Sequence, residues 1–145
     1  MDIKVITVGK PTLSWARSAV EDYLGRLRKT ARVEWLPLRG RQATDAGMLE
    51  ASEGCLRVVL DERGQAWRSV ELARWLEARE LAAVRRVAFL IGGAEGHGEV
   101  VRSAAEVCWS LSPLTLQHEV ALVVMLEQLY RAGTIRRGEP YHREG

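Results

Sequence analysis

The sequence predicts an α/β fold, with a parallel-rich sheet of about five strands between helices. Three observations predict it. Strand-like and helix-like segments alternate along the whole chain, residues 87–91 form a continuous apolar run suited to a strand covered on both faces, and no linker or low-complexity stretch interrupts the pattern. At 145 residues the chain has the size of one domain, read as residues 1–145, able to bury roughly 68–70% of its unfolded surface.

Residues 3–8 predict the first strand, broken by Gly9, Lys10 and Pro11. Trp15, Ala19, Val20, Tyr23, Leu24 and Leu27 then recur at three- and four-residue steps, which predicts a helix with Ser14 as its cap. A second strand covers residues 33–38. Residues 39–54 read as a mobile basic loop followed by a short helix around Met48 and Leu49. Residues 57–60 predict a third strand closed by the turn-like Asp61-Glu62-Arg63-Gly64. Ser69 is expected to cap a helix carrying Val70, Ala73, Trp75 and Leu76. The strand at 87–91 ends at Gly92 and Gly93, followed by a short helix at 99–105, a fifth strand at 107–111 and a final helix at 119–132.

Apolar residues make up 47% of the chain and charged residues 28%, which excludes the composition of a disordered polar segment. Only Cys55 and Cys108 are present, each in an apolar stretch, so no disulfide framework is expected and a reducing cytoplasm fits. No secretory signal is legible, and the longest apolar run, residues 120–126, is far below the ~20 residues that a membrane span needs. His97, His118 and His142 lack cysteine or carboxylate partners at ligand spacing, so no metal is expected.

The net charge of +2 is small, but it is unevenly placed. Arg26, Arg28, Lys29, Arg32, Arg39 and Arg41 form one basic stretch, and Arg131, Arg136, Arg137 and Arg143 form another. Both can meet phosphates, and both also read as ordinary solvated faces.

In open parallel sheets ligands sit beyond the carboxyl ends of the strands, where loops converge on one crevice. Three such loops follow Leu60, Ile91 and Leu111. The second, Gly92-Gly93-Ala94-Glu95-Gly96-His97-Gly98, allows close backbone approach, although it has neither the GxGxxG spacing nor a Walker A ending. The third runs from Ser110 through Leu111, Ser112, Pro113, Leu114, Thr115, Leu116 and Gln117 to His118. Its leucines can wall an apolar slot while its backbone amides and carbonyls reach a base edge. His118 suits either a structural role at the start of the last helix or a proton-handling one. The tail, Gly138-Glu139-Pro140-Tyr141-His142-Arg143, gathers an aromatic, a histidine and an arginine, a set suited to an unpaired RNA base. A disordered end or an expression remnant is the alternative.

Taken together, Leu90-Ile91-Gly92-Gly93-Ala94-Glu95-Gly96, residues 109–118, Glu127-Gln128-Leu129-Tyr130-Arg131-Ala132 and Pro140-Tyr141-His142-Arg143 resemble the ribosomal large-subunit methyltransferase H family of the SPOUT superfamily. The opening Lys4-Val5-Ile6-Thr7-Val8-Gly9-Lys10 extends the resemblance over nearly the whole chain. It implies a SPOUT α/β fold with a C-terminal trefoil knot, a homodimer, and methylation of N3 of a pseudouridine in 23S rRNA on the assembled ribosome. S-adenosylmethionine would be held by Leu60, Gly92, Gly93, Ser112, Pro113, Leu114, Thr115, Leu116 and Gln117. The catalytic candidates are His118, Tyr141, His142 and Arg143: either histidine for the imide proton, Tyr141 for stacking, Arg143 for a phosphate or base contact. Ala94 and Gln117 stand where the family usually has proline, which implies altered loop rigidity, and the short segment 39–54 is less typical of the family. A SPOUT methyltransferase acting on tRNA and a non-catalytic RNA-binding module are the rival readings.

Overall fold

The computed structural model describes residues 1–141. His142 and Arg143, two of the catalytic candidates, lie outside the described residues. Five strands alternate with five helices: β1 (Asp2–Val8), α1 (Ser14–Leu27), β2 (Arg32–Leu38), α2 (Asp45–Ala51), β3 (Leu56–Ala66), α3 (Ser69–Leu81), β4 (Arg86–Leu90), α4 (Glu99–Ser103), β5 (Val107–Ser110) and α5 (His118–Arg137). Every strand pairing is parallel, in the order β2-β1-β4-β3-β5, as the alternating pattern requires.

Side chains of successive strand residues point to opposite faces, and this divides the core in two. Val5, Val58, Val87 and Phe89 face the larger cluster, where Val20 and Leu24 of α1, Leu72 and Leu76 of α3, and Leu122, Met125, Leu126 and Leu129 of α5 cover them. Ile6, Val59, Ala88 and Leu90 face the opposite side, under Met48 of α2 and Val101 of α4. The continuous apolar run at 87–91 is therefore buried on both faces.

Several local expectations need correction. Asp61-Glu62-Arg63-Gly64 does not close β3. The strand bulges between Leu60 and Gln65 and pairs again with β5, Gln65 opposite Trp109 and Ala66 opposite Ser110. Gly64 makes this possible, because a Cβ there would lie 2.6 Å from the carbonyl carbon of Cys108. Ser14 lies inside α1 and does not cap it, and Trp15 is 54% exposed instead of joining the buried face made by Ala16, Val20, Leu24 and Leu27. Nor does Ser69 cap α3. Its hydroxyl donates to Gln128 of α5 at 2.6 Å, while the Glu71 carboxylate accepts the N–H of Arg68 at 2.9 Å. The last helix also runs on beyond Ala132 to Arg137, where Gly138 in the left-handed region (φ 69°) ends it. Segment 39–54 holds a 3₁₀ turn (Gly40–Gln42) and α2, whose N-terminus is capped by Thr44 accepting the Gly47 N–H at 3.0 Å.

Candidate functional site

The bulged stretch of β3 and the carboxyl ends of β4 and β5 open into one concavity of about 370 Å³, walled by residues 60–63 and by the two loops that follow β4 and β5, and floored in part by His118 and Ala121 of α5. Parallel strands bring these loops together because all their C-terminal ends lie on one edge of the sheet.

The first wall continues from Leu60 into an ion pair. Asp61 accepts the Arg63 N–H at 2.9 Å, Nε at 3.0 Å and Nη2 at 2.9 Å. The Arg63 guanidinium holds the Asp61 carboxyl well below the usual range, at about 2, despite a side chain only 10% exposed. The neighbouring Glu62 carboxylate accepts the hydroxyl of Thr115, tying the first wall to the third.

The second wall is the glycine loop. Gly96, at φ 74°, donates its N–H to the Gly93 carbonyl at 2.9 Å, and a Cβ on Gly92 would sit 2.7 Å from the Gly96 carbonyl carbon. Such a fold of the backbone on itself needs glycine at both positions. Buried His97 donates Nε2–H to the Leu90 carbonyl at 2.9 Å, and burial lowers the pKa of its imidazole. Arg102 of α4 fastens the loop from outside, donating to the His97 carbonyl and to Glu99 at 3.0 Å.

The third wall, residues 111–117, is neither helix nor strand. Ser110 donates to the Ser112 carbonyl at 2.9 Å, and the Ser112 hydroxyl accepts the Leu114 N–H at 3.0 Å, a local turn that leaves Leu114 71% exposed. Its last residue, Gln117, caps α5 by accepting the N–H groups of Glu119 and Val120 at 2.8 and 3.0 Å.

Of the residues named from the sequence, the structure brings Leu60, Gly92, Gly93, Ser112, Leu114, Thr115, Leu116 and His118 to this concavity. Pro113 and Gln117 do not line it, since Pro113 is exposed and the Gln117 side chain is used by the helix cap. Tyr141 is elsewhere. Its hydroxyl donates to Glu127, nine residues beyond His118 in α5. Nine residues advance a helix by about 14 Å and turn it through about half a revolution, so Glu127 and His118 occupy opposite faces.

Sequence reasoning missed Asp61, Glu62, Arg63 and Arg102 as walls. The signal for the first three was two acids and a base directly after an apolar strand, which has the composition of a turn where the strand in fact bulges. Arg102 carried no signal, because only the packing of α4 brings it there.

The walls are mixed. Leu60, Ile91, Leu111, Leu114 and Leu116 offer apolar surface for a flat ring, and Asp61, Glu62, Arg63, Glu95 and Arg102 offer charges of both signs for a zwitterionic group.

Comparison with known proteins shows the family. A family model described as "Predicted SPOUT methyltransferase" matches residues 1–142. The chain is 50% identical over 143 residues to a ribosomal RNA large subunit methyltransferase H of Thermus thermophilus, covering 99% of both chains. Identity to the protein of the same name in Deinococcus radiodurans is 41% over 145 residues, again covering 99% of each. Among solved structures, a probable methylase family protein from Haemophilus influenzae Rd KW20 superposes with a TM-score of 0.58 at 13% identity, over 94% of this chain and 66% of that one. TrmJ from Z. mobilis ZM4 gives 0.55 at 13% identity, over 92% and 70%. A full-length family match, close relatives and a shared fold lead to one conclusion: this chain belongs to the SPOUT methyltransferase family.

Proposed function

We propose that this chain methylates N3 of a pseudouridine in 23S rRNA on the assembled ribosome, with S-adenosylmethionine as donor. The observation that carries the reading is the concavity at the carboxyl ends of β3, β4 and β5, in a chain 50% identical to a ribosomal RNA large subunit methyltransferase. Family membership makes the chain a methyltransferase, and the mixed walls suit the flat apolar base and charged amino-acid end of this donor. The reading includes the knotted C-terminal path that the family resemblance implies.

Bound there, S-adenosylmethionine would supply an electrophilic methyl group on a sulfonium. Leu60, Leu114 and Leu116 would wall its base, and Gly92, Gly93, Ser112 and Thr115 would let the backbone come close to it. Pro113 stiffens the third wall and Gln117 fixes its end to α5. What remains for the protein is alignment of the attacking nitrogen and removal of its imide proton. His118 faces the concavity, whereas the Nε2–H of His97 is committed to Leu90, which favours His118 over His97 for the proton. His142 is the alternative, and Arg143 would contact a phosphate or the base.

A homodimer paired across this site follows from the same reading. Leu13 and Trp15 at the start of α1 and Leu114 before α5 are exposed apolar side chains flanking the N-terminus of α5. No helix among the described residues is long and apolar enough to cross a membrane. A ribosomal substrate places the enzyme in the cytoplasm.

Transfer of labelled methyl from S-adenosylmethionine to ribosomes lacking the modification tests the proposal, with pseudouridine-free ribosomes and bare rRNA in parallel. Label confined to pseudouridine-containing ribosomes is the expected result. Label on bare RNA of another class, or none at all, sinks it. Donor binding is checked separately: at 100 times its dissociation constant it should stabilise the fold by about 2.7 kcal/mol.

A further inference from the structure

A second polar cluster lies on the face of α5 away from the concavity, and it holds all three tyrosines of the chain, Tyr23, Tyr130 and Tyr141. The Tyr141 hydroxyl donates to Glu127 Oε2 at 2.9 Å. Its one proton is thereby committed, so in the 3.1 Å contact between the Tyr23 and Tyr141 hydroxyls Tyr23 is the donor. Arg131 donates to the same carboxylate oxygen through Nε at 3.1 Å and Nη2 at 3.0 Å, and Gln128 donates to the other at 2.6 Å. Gln128 in turn accepts from Ser69 at the start of α3. Around the ring, Tyr130 packs edge-on with centroids 4.7 Å apart, and the Arg131 guanidinium lies 5.0 Å from the Tyr141 centroid.

We propose that Tyr141 is the anchor of the C-terminal tail, and that Glu127 and Tyr23 are positioning residues that hold it, fixing the point from which His142 and Arg143 follow. The proposal rests on the reading that those two residues act on RNA. It replaces the stacking role that the sequence suggested for Tyr141, because the hydroxyl is bonded on both sides and the ring is already packed by Tyr130 and Arg131. A chain end frays unless it is tied down, and between the close of α5 at Gly138 and Tyr141 the ties are the Glu139 N–H to the Thr134 carbonyl and the Glu139–Arg137 pair. The hydroxyl contacts add a tie to α1 and to the middle of α5. Burial, with the Tyr23 and Glu127 contacts, pushes the Tyr141 phenol well above its ordinary pKa, as a phenol lodged against a carboxylate should be.

The test is methyl transfer to ribosomes by the full chain carrying Tyr141→Phe, Tyr141→Ala, Glu127→Ala, Glu127→Gln, or Tyr141→Phe with Glu127→Ala. Tyr141→Phe keeps the ring and removes the anchor. Its kcat should fall about tenfold, the size of one hydrogen bond to a charged group, with donor affinity unchanged. Glu127→Ala should match it, Glu127→Gln should recover part of the loss by keeping an acceptor, and the double variant should be no worse than either single change. A Tyr141→Phe enzyme as fast as wild type beside a slow Tyr141→Ala enzyme would restore the stacking role and overturn the anchor, as would multiplying losses in the double variant. Alkaline titration of tyrosinate absorbance reads the contact without activity, since every tyrosine is in this cluster. Glu127→Gln should lower the highest midpoint, and an unmoved midpoint overturns the proposal. Wild-type enzyme inactive on ribosomes would instead defeat the functional reading and leave the titration to judge the anchor.

Discussion

The carboxylate of Glu119, second residue of α5, accepts the backbone N–H of Leu13 at 3.0 Å and so closes the N-terminus of α1, a helix more than a hundred residues away in sequence. The same carboxylate takes the N–H and hydroxyl of Thr12 and the side-chain amide of Gln117. Sitting in the first turn of α5, it also meets the positive end of that helix dipole. One buried acid therefore serves two helix starts, and it holds the chain before α1 against the residue that faces the concavity, His118.

Glu119→Ala should lower the melting temperature by a few degrees, as loss of a helix cap does in a chain of this size. The Leu13 N–H, with Gln117 and Thr12, holds the Glu119 carboxyl below its ordinary value of 4.5. A depressed folded pKa contributes stability above the unfolded value and loses it as pH falls through the folded one. The wild-type advantage over Glu119→Ala should thus be full at pH 6 and shrink below about pH 4. Melting curves from pH 6 downwards decide it, and a gap that does not shrink as the pH falls contradicts the assignment.

Asp61 makes a second acid-sensitive contribution, over a lower window. Its carboxyl is held down from 3.8 to about 2 by Arg63. Arg63→Ala should lower stability slightly near neutrality, since the guanidinium is mostly exposed and screened, and the difference should fade as pH falls through about 2. Urea unfolding at several pH values measures the first effect. Proton titration by NMR should show the Asp61 carboxyl of the variant returning towards its ordinary range.

Gly64→Ala should destabilise the fold by about 1–3 kcal/mol, because the new methyl meets the Cys108 backbone, which cannot rotate away. Since the same residue lets β3 reach past its bulge, donor affinity should fall with it. Gly92→Ala drives a methyl into the Gly96 backbone at the heart of the second wall, and should cost donor affinity more than stability. Isothermal titration beside denaturant melts separates the two. Equal losses in both quantities for both variants would argue against a distinct binding role for the glycine loop.

Trp15→Glu should reduce self-association if the exposed apolar side chains beside α5 meet a second copy. Sedimentation velocity is the measurement. A dimer unaffected by charge at both Trp15 and Leu114 would place the interface on another face.

The loops after Ile91 and Leu111 that wall the concavity were legible in the sequence because each joins an apolar strand, which has a period, to residues that break it: paired glycines after Ile91, a proline among hydroxyls after Leu111. The bulge in β3 was not, since Asp61 to Gly64 has the composition of a turn. What keeps it extended is Cys108, packed against Gly64 from a strand some forty residues later. Ser14 and Ser69 misled for a related reason. Each is a good cap by composition, but Glu119 and Glu71 supply the acceptors that those helix starts use.

By itself the sequence determined the alternation of strands and helices, the parallel sheet buried on both faces and the loops at its carboxyl edge, because these depend on local periodicity and on residues with special backbone freedom. Only the tertiary structure decided that β4 lies between β1 and β3, that Asp61 and Arg63 form a wall, that Glu119 caps α1, and that Tyr141 is fastened on the face of α5 opposite His118. Those relations join residues far apart in the chain. Packing sets them, and no local preference of either partner encodes the other.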